Sequence, residues 1–206
     1  MPKVYADIDI SLDGFIAGTN ISIENPLGIG GEKLIWYGDD VNNAETDYSM
    51  AYNEVDAKIL QESANKEGAV IMGRTTFEMS IDAWGDAPPI HKPCFVLTHR
   101  PIDNLVKGNT IFHFVNKDPK EVVSMAIEAA KGKDVCVMGG ASTIAQFINY
   151  GLLNELYLHM IPTLLGEGIK LFDKIDKGKV DFKKIKVLDG EIATHILLQS
   201  KSENKK

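Results

Sequence analysis

Cysteine is scarce. The 206 residues include only Cys94 and Cys136, each inside a short apolar run, PCFVL and DVCVM. No Cys/His spacing resembles a zinc site, and both thiols read as small buried apolar residues in a reducing cytosol. Positive charge is also in deficit: 22 Lys and Arg stand against 29 Asp and Glu, a net charge of −7, with no extended basic tract. That argues against nucleic acid or an anionic membrane surface as a partner. No apolar run approaches the ~18 residues of a membrane span. The opening MPKVYADIDISLDG has no apolar signal core after its lysine, so a cytoplasmic protein is the expectation. G-x-G-x-x-G is missing as well, which removes the ordinary dinucleotide fingerprint.

What is present is ordinary for a globular protein: 44% hydrophobic and 25% charged residues. The length suits one domain with a real core, taken here as residues 1–200, followed by a polar tail, 201–206. KVYADIDISLDG opens with alternation, Val4, Ala6, Ile8 and Ile10 on one face of a strand that ends before an Asp13-Gly14 turn. Residues 19–45 are rich in Gly, Asn, Asp and Pro and lack periodicity, the mark of a functional loop. A helix is predicted next, with Met50, Val55, Ile59 and Leu60 as its stripe, Thr46 or Asp47 as cap and Gly68 as stop.

Further strands are predicted at AVIMG, CFVLT, TIFHFV, DVCVM and LNELYLHMI, with helices starting at RTTFEMS and STIAQFINYG. Trp84 is placed in a loop, WGDAPPIHKP. In DPKEVVSMAIEAAKGK, Asp118 caps a helix, Pro119 takes its first position and Gly132 ends it. The end of the chain alternates on both sides of Asp189-Gly190, a hairpin signal. The fold class is α/β: a mixed, mostly parallel sheet with a C-terminal antiparallel hairpin.

Three strand ends share one layout. DVCVM runs into Gly139-Gly140, then Ala141, Ser142 and Thr143 open a helix. AVIM runs into Gly73-Arg74 and then Thr75-Thr76. CFVL runs into Thr98, His99 and Arg100. Open α/β sheets bind ligands beyond strand carboxyl ends, helix starts offer unpaired N–H groups, and glycine lets a ligand approach the backbone. A lone Gly-Gly is as well read as a tight turn, but three donor-rich strand ends look like the edges of a dinucleotide groove.

SLDGFIAG, VIMGRTTFE, FVLTHRP, VMGGASTIAQFI and LYLHMIPTLLGEGIKLF together resemble the dihydrofolate reductase-like superfamily, in its riboflavin-biosynthesis reductase branch and that branch's stand-alone relatives. The resemblance runs from about residue 3 to 199. It implies a three-layer fold with helices on both faces of the sheet, and NADPH as cofactor. Carried over, Gly139, Gly140, Ala141, Ser142 and Thr143, with Gly73, Arg74, Thr75 and Thr76, would meet the pyrophosphate. Thr98, His99 and Arg100 would hold the 2′-phosphate, and Ile16, Ala17 and Gly18 would border the nicotinamide.

In dihydrofolate reductases a helix carboxylate holds the substrate. Alignment back from VIMGR puts Ala57 there, with Asp56 one residue earlier, and puts His159 near the family's neighbouring hydroxyl. An Asp56–His159 pair could relay a proton at neutral pH. Trp36 and Tyr52, with Tyr37 and Tyr48 nearby, could floor a flat substrate beside Asp56. The expectation is an NADPH-dependent reductase of a small heterocyclic or conjugated substrate, dimeric as its relatives usually are. H-x-E and P-C-x-x-C are missing, so no deaminase accompanies it. The rivals are a non-catalytic nucleotide-binding protein on this fold and a genuine dihydrofolate reductase.

Overall fold

Alternation along the strands decides the architecture. The computed structural model describes residues 2–36, 53–176, 178 and 180–201. Its main sheet has nine strands in the order β10-β11-β8-β1-β7-β3-β4-β6-β5. They are β1 (Val4–Ser11), β3 (Glu67–Gly73), β4 (Pro93–Leu97), β5 (Leu105–Lys107), β6 (Thr110–Val115), β7 (Asp134–Gly139), β8 (Glu155–Ile161), β10 (Phe182–Asp189) and β11 (Thr194–Ser200). The six strands from β8 to β6 are parallel; β11 and the edge strand β5 run against them, and β10 pairs antiparallel with β11. A separate two-stranded piece pairs β2 (Phe15–Ala17) with β9 (Ile169–Lys170).

Successive side chains on the central strands go to opposite faces. Val4, Ala6, Ala69, Ile71, Val135 and Val137 pack with Val122 and Ala126 of α3 (Pro119–Ala129) and with Ile144 and Phe147 of α4 (Ala141–Asn149). Tyr5, Val70, Met72, Cys94, Val96 and Cys136 face the other way, toward Phe77 of α2 (Arg74–Trp84). On that side too lies α1 (Glu54–Lys66), whose Ile59 packs with Leu34, Trp36, Ile161 and Ala193. Three layers result, and the central strands are apolar on both faces because helices cover both.

Several boundaries differ from the sequence reading. Among the described residues α1 begins at its cap Asn53, whose side chain accepts from the N–H groups of Val55 and Asp56; Thr46, Asp47 and Met50 lie outside the described residues. Gly68 does not stop it: the chain passes straight into β3, where Gly68 lies so close to Ala130 that a Cβ would collide with its carbonyl. Trp84 is the last residue of α2 and stacks on Phe112, ring centroids 6.5 Å apart, so it is not a loop anchor. Both cysteines are buried and unpaired, and burial pushes both thiols up, which leaves them inert.

Candidate active site

The parallel strands β7, β3 and β4 are neighbours and end on one edge of the sheet. Beyond that edge lies a cleft of about 1380 Å³, room for a dinucleotide and more. Two helices start on its wall. Gly140 precedes α4 and Gly73 precedes α2, and neither helix start is closed by a capping side chain. The two turns nearly touch: a Cβ on Gly73 would lie 2.6 Å from Thr143 Oγ1. The Gly139–Gly140 peptide is cis, and Gly139 has φ 120°. Thr75, Thr76, Ser142 and Thr143 also border the cleft.

Arg74 lines the same wall. Its Nε donates to Glu78 Oε1 at 2.7 Å and its guanidinium lies over the rings of Phe77 and Phe114, yet its Nη1 is buried without a hydrogen-bond partner. An unsatisfied buried donor costs stability unless a ligand meets it. Uncapped helix starts, hydroxyls and an orphaned guanidinium nitrogen on one wall fit a phosphorylated group.

Thr98, His99 and Arg100 follow β4 one strand further along the same edge. Leu97 borders the cleft, whereas these three lie outside its lining and the last two are exposed. The Thr98 hydroxyl accepts from Arg100 N–H at 3.1 Å, shaping the turn. At the opposite end, Ile16 and Ala17 of β2 border the cleft. Gly18 lies behind them against Ile29, where a Cβ would strike the carbonyl. Asp13 ties this β1–β2 turn to the LLGEG segment, accepting from Leu165 N at 3.2 Å and Gly166 N at 2.7 Å.

The floor of the cleft is acidic. Asp7 and Asp9 project from the centre of β1, two residues apart on one face, and His159 lies beside them on β8. Asp9 Oδ1 accepts from Trp36 Nε1 at 2.6 Å. Burial, against the pull of His159 and that hydrogen bond, pushes the Asp9 carboxyl up to about 7. Asp7 Oδ1 meets His159 Nε2 at 2.6 Å, and Asp7 Oδ2 accepts from Ser63 Oγ at 3.1 Å. Burial alone would raise Asp7; the His159 charge and hydrogen bond outweigh it and hold the carboxyl below its ordinary value. Burial likewise opposes charge on His159, but Asp7 outweighs it and the ring sits above its ordinary value.

Behind His159 the contacts continue. His159 Nδ1 faces His195 Nδ1 at 2.6 Å, and His195 Nε2 meets Asp56 Oδ1 at 2.8 Å. Trp36 packs against both imidazoles, at 4.8 and 4.7 Å between centroids. Burial lowers His195 below the ordinary histidine value.

Of the residues singled out from sequence, the structure therefore brings Ile16, Ala17, Trp36, Gly73–Thr76, Gly140–Thr143 and His159 to one cleft. It does not pair Asp56 with His159 directly. Asp56 is 1% exposed, bonded to His195 and to Glu191 N–H, and does not border the cleft. Tyr37, Tyr48 and Tyr52 lie outside the described residues. Sequence reasoning missed Asp7, Asp9, Ser63 and His195. The signal for the first two was there: carboxylates at alternate positions, DID, within an otherwise apolar strand, where an ionised group needs a partner or a purpose.

Comparison with known proteins agrees with this geometry. A family model, the RibD C-terminal domain, matches residues 2–194. The chain belongs to the RibD C-terminal domain family. Bacillus subtilis YyaP is 28% identical over 196 residues, covering 89% of this chain and 86% of its own. A Shewanella sp. PV-4 protein provisionally assigned to riboflavin biosynthesis superposes with a TM-score of 0.69 at 22% identity, covering 98% of this chain and 99% of its own. Enterococcus faecalis dihydrofolate reductase, solved with NADP(H), gives 0.56 at 13% identity, covering 97% of both chains. At such identities the likeness shows the fold, which is the dihydrofolate reductase-like fold. A RibD C-terminal domain is a reductase-like domain, and that places the protein with the oxidoreductases at the level of family. No helix among the described residues is long and apolar enough to cross a membrane.

Proposed function

We propose that this protein is an NADPH-dependent reductase of a small heterocyclic or conjugated substrate. The observation that carries the proposal is the opening of two uncapped, glycine-preceded helix starts and the Asp7–Asp9–His159 floor onto one cleft. The bound nucleotide supplies the hydride; the chain's work is to orient two rings and manage a proton. Gly73–Thr76 and Gly139–Thr143 hold the pyrophosphate with backbone N–H groups and hydroxyls, and Arg74 adds the guanidinium nitrogen that otherwise has no partner. Thr98, His99 and Arg100, beyond β4, receive the 2′-phosphate, whose charge a bare ribose lacks. Ile16 and Ala17 border the nicotinamide with Gly18 behind them, Trp36 walls the substrate end, and His159 lies at the floor beside Asp7.

A genuine dihydrofolate reductase is disfavoured by Asp56, which is committed to His195 and Glu191 instead of facing a substrate. The reading extends to a cytoplasmic homodimer using the sheet and the terminal hairpin, where β10 exposes Ile185 and Val187 along an outer edge; light scattering at micromolar protein tests that association.

Trp36 and Trp84 both border the cleft, so intrinsic fluorescence reports its occupancy. Titration is expected to show NADPH binding more tightly than NADH, with Arg100→Ala narrowing the difference by about tenfold, the loss of one charge-assisted contact. No response to either nucleotide near millimolar concentration would overturn the proposal.

A further inference from the structure

The four side chains joining Asp56 to Asp7 obey a proton count. Three short contacts link them: Asp56 to His195 at 2.8 Å, His195 to His159 at 2.6 Å and His159 to Asp7 at 2.6 Å. Each needs one hydrogen between its two heavy atoms. Two neutral imidazoles bring only two. If both rings point their N–H at the carboxylates, two lone pairs face each other across the Nδ1···Nδ1 contact, which is repulsive. The geometry therefore requires three protons over two carboxylates and two rings, a net charge of −1. The third proton has four places to reside: Asp56, His195, His159 or Asp7. Moving it from one end to the other is a series of short hops along existing hydrogen bonds, with no side chain rotating.

The line is shielded along most of its length, with a small cavity of about 90 Å³, lined by Ser63, Lys66, Tyr157 and Lys186, touching both rings. His159 and His195 are 3% and 5% exposed and Asp56 is 1% exposed, whereas Asp7 is 22% exposed and borders the cleft. Trp36 seals the two rings on one side. Gly190 closes the far end: a Cβ there would lie 2.6 Å from His195 Nε2 and would also strike Asp56 Oδ1. The charged groups around the ring pair are Asp7 and Asp9 of β1, Asp56, Glu62 and Lys66 of α1, and Lys186 of β10.

We infer that Asp56, His195, His159 and Asp7 form one proton store, and that Asp7 discharges it into the cleft as the proton donor of the reduction. This rests on the reductase reading above. In the step, His159 Nε2–H passes to Asp7 Oδ1, and the Asp7 carboxylic acid then gives its proton to the substrate atom that becomes basic as hydride arrives. The store falls from three protons and −1 to two protons and −2; a proton from water restores it. Asp7 is the catalytic residue. His195 and Asp56 are positioning residues that act through His159 by setting how readily the third proton is held.

The test is ¹⁵N–¹H spectroscopy of the imidazole nitrogens as pH is varied, with no nucleotide needed. In the unmodified protein a single strongly deshielded proton is expected between the two Nδ1 atoms, and both rings are expected to shift at one common midpoint. Asp56→Asn should lower the midpoint of His159, which Asp56 does not touch, by about one pH unit, a tenfold loss of proton affinity. Asp7→Asn should do the same to His195.

Rings that titrate independently, or a His159 midpoint indifferent to Asp56→Asn, would overturn the store. So would absence of the shared proton in the unmodified protein, a result that depends on no variant folding. NADPH fluorescence titration of the same sample separates the two proposals. Coupled rings without nucleotide binding remove the reductase and with it Asp7's role as donor, leaving a buried proton store; binding with uncoupled rings removes only the store.

Discussion

Asp9 carries a carboxyl into a place where its charge is poorly tolerated. Its folded value of about 7 lies above the ordinary carboxylate range. The folded protein therefore holds a proton that the unfolded chain releases, and stability falls as pH rises from about 4 to about 7. Asp9→Asn keeps an oxygen for Trp36 Nε1 and removes that dependence. Urea unfolding at pH 5 and pH 8 should show the variant gaining on the parent by roughly 2 kcal/mol, after discounting for partial exposure. An equal gain at both pH values would mean that Asp9 is not protonated in the fold.

The Asp7–His159 pair has the opposite window. Asp7 is depressed and His159 raised, so the pair stabilises above the unfolded carboxylate value near 4 and below the unfolded imidazole value near 6.5. Its contribution is lost as pH falls through the folded Asp7 value or rises through the folded His159 value. Asp7→Asn should accordingly cost most near pH 5, and the same unfolding curves check it.

At the level of elements, α1 is held at its start by Asn53, whose side-chain oxygen accepts from Val55 N at 3.0 Å and Asp56 N at 2.9 Å. Asn53→Ala should cost about 1 kcal/mol and loosen the backbone that aims Asp56 at His195. The hairpin turn is less forgiving. Gly190→Ala places a methyl against Asp56 and His195, an overpacking that should cost about 1–3 kcal/mol. Thermal unfolding ranks the two, and Gly190→Ala costing less than Asn53→Ala would contradict the close packing there.

These elements also show where sequence was readable. α3 was plain, because Asp118 and Pro119 are local signals that act through the residue beside them, and the structure has that cap. The Asp189-Gly190 hairpin was plain for the same reason. The strands β2, β5 and β9, of two or three residues, were not, because so short a run has no period to detect. Gly68 misled because a glycine ending a helix and a glycine making room for a neighbouring backbone look alike in one dimension. The Gly-rich wall of the cleft was legible as three repeated strand ends. The line behind its floor was legible only in part: Asp56 and His159 stood out singly, but Asp7, His159, His195 and Asp56 come from three strands and a helix, and only the sheet order β11-β8-β1 brings them together through His195.

Across the whole molecule, the strands that end at Gly73 and Gly139 and the strand that carries Asp7 and Asp9 belong to one continuous sheet. Under the proposed reading, a nucleotide held at the ends of β7 and β3 would stabilise that sheet by linkage. At a hundredfold excess over Kd the gain is about 2.7 kcal/mol, which in a chain of this size raises Tm by roughly 5–10 °C. Arg74 separates that effect from ordinary stability. Its ion pair with Glu78 is an exposed one between neighbouring helical turns and contributes little, while its partnerless buried nitrogen is a cost in the free protein. Arg74→Lys keeps the charge but loses the planar fork. The ligand-free Tm should therefore stay within about 2 °C of the parent, a change of ~0.5 kcal/mol, while the NADPH-induced rise shrinks as affinity falls by about tenfold. Parallel loss of Tm with and without NADPH would make Arg74 a packing residue and leave the phosphate site without its guanidinium.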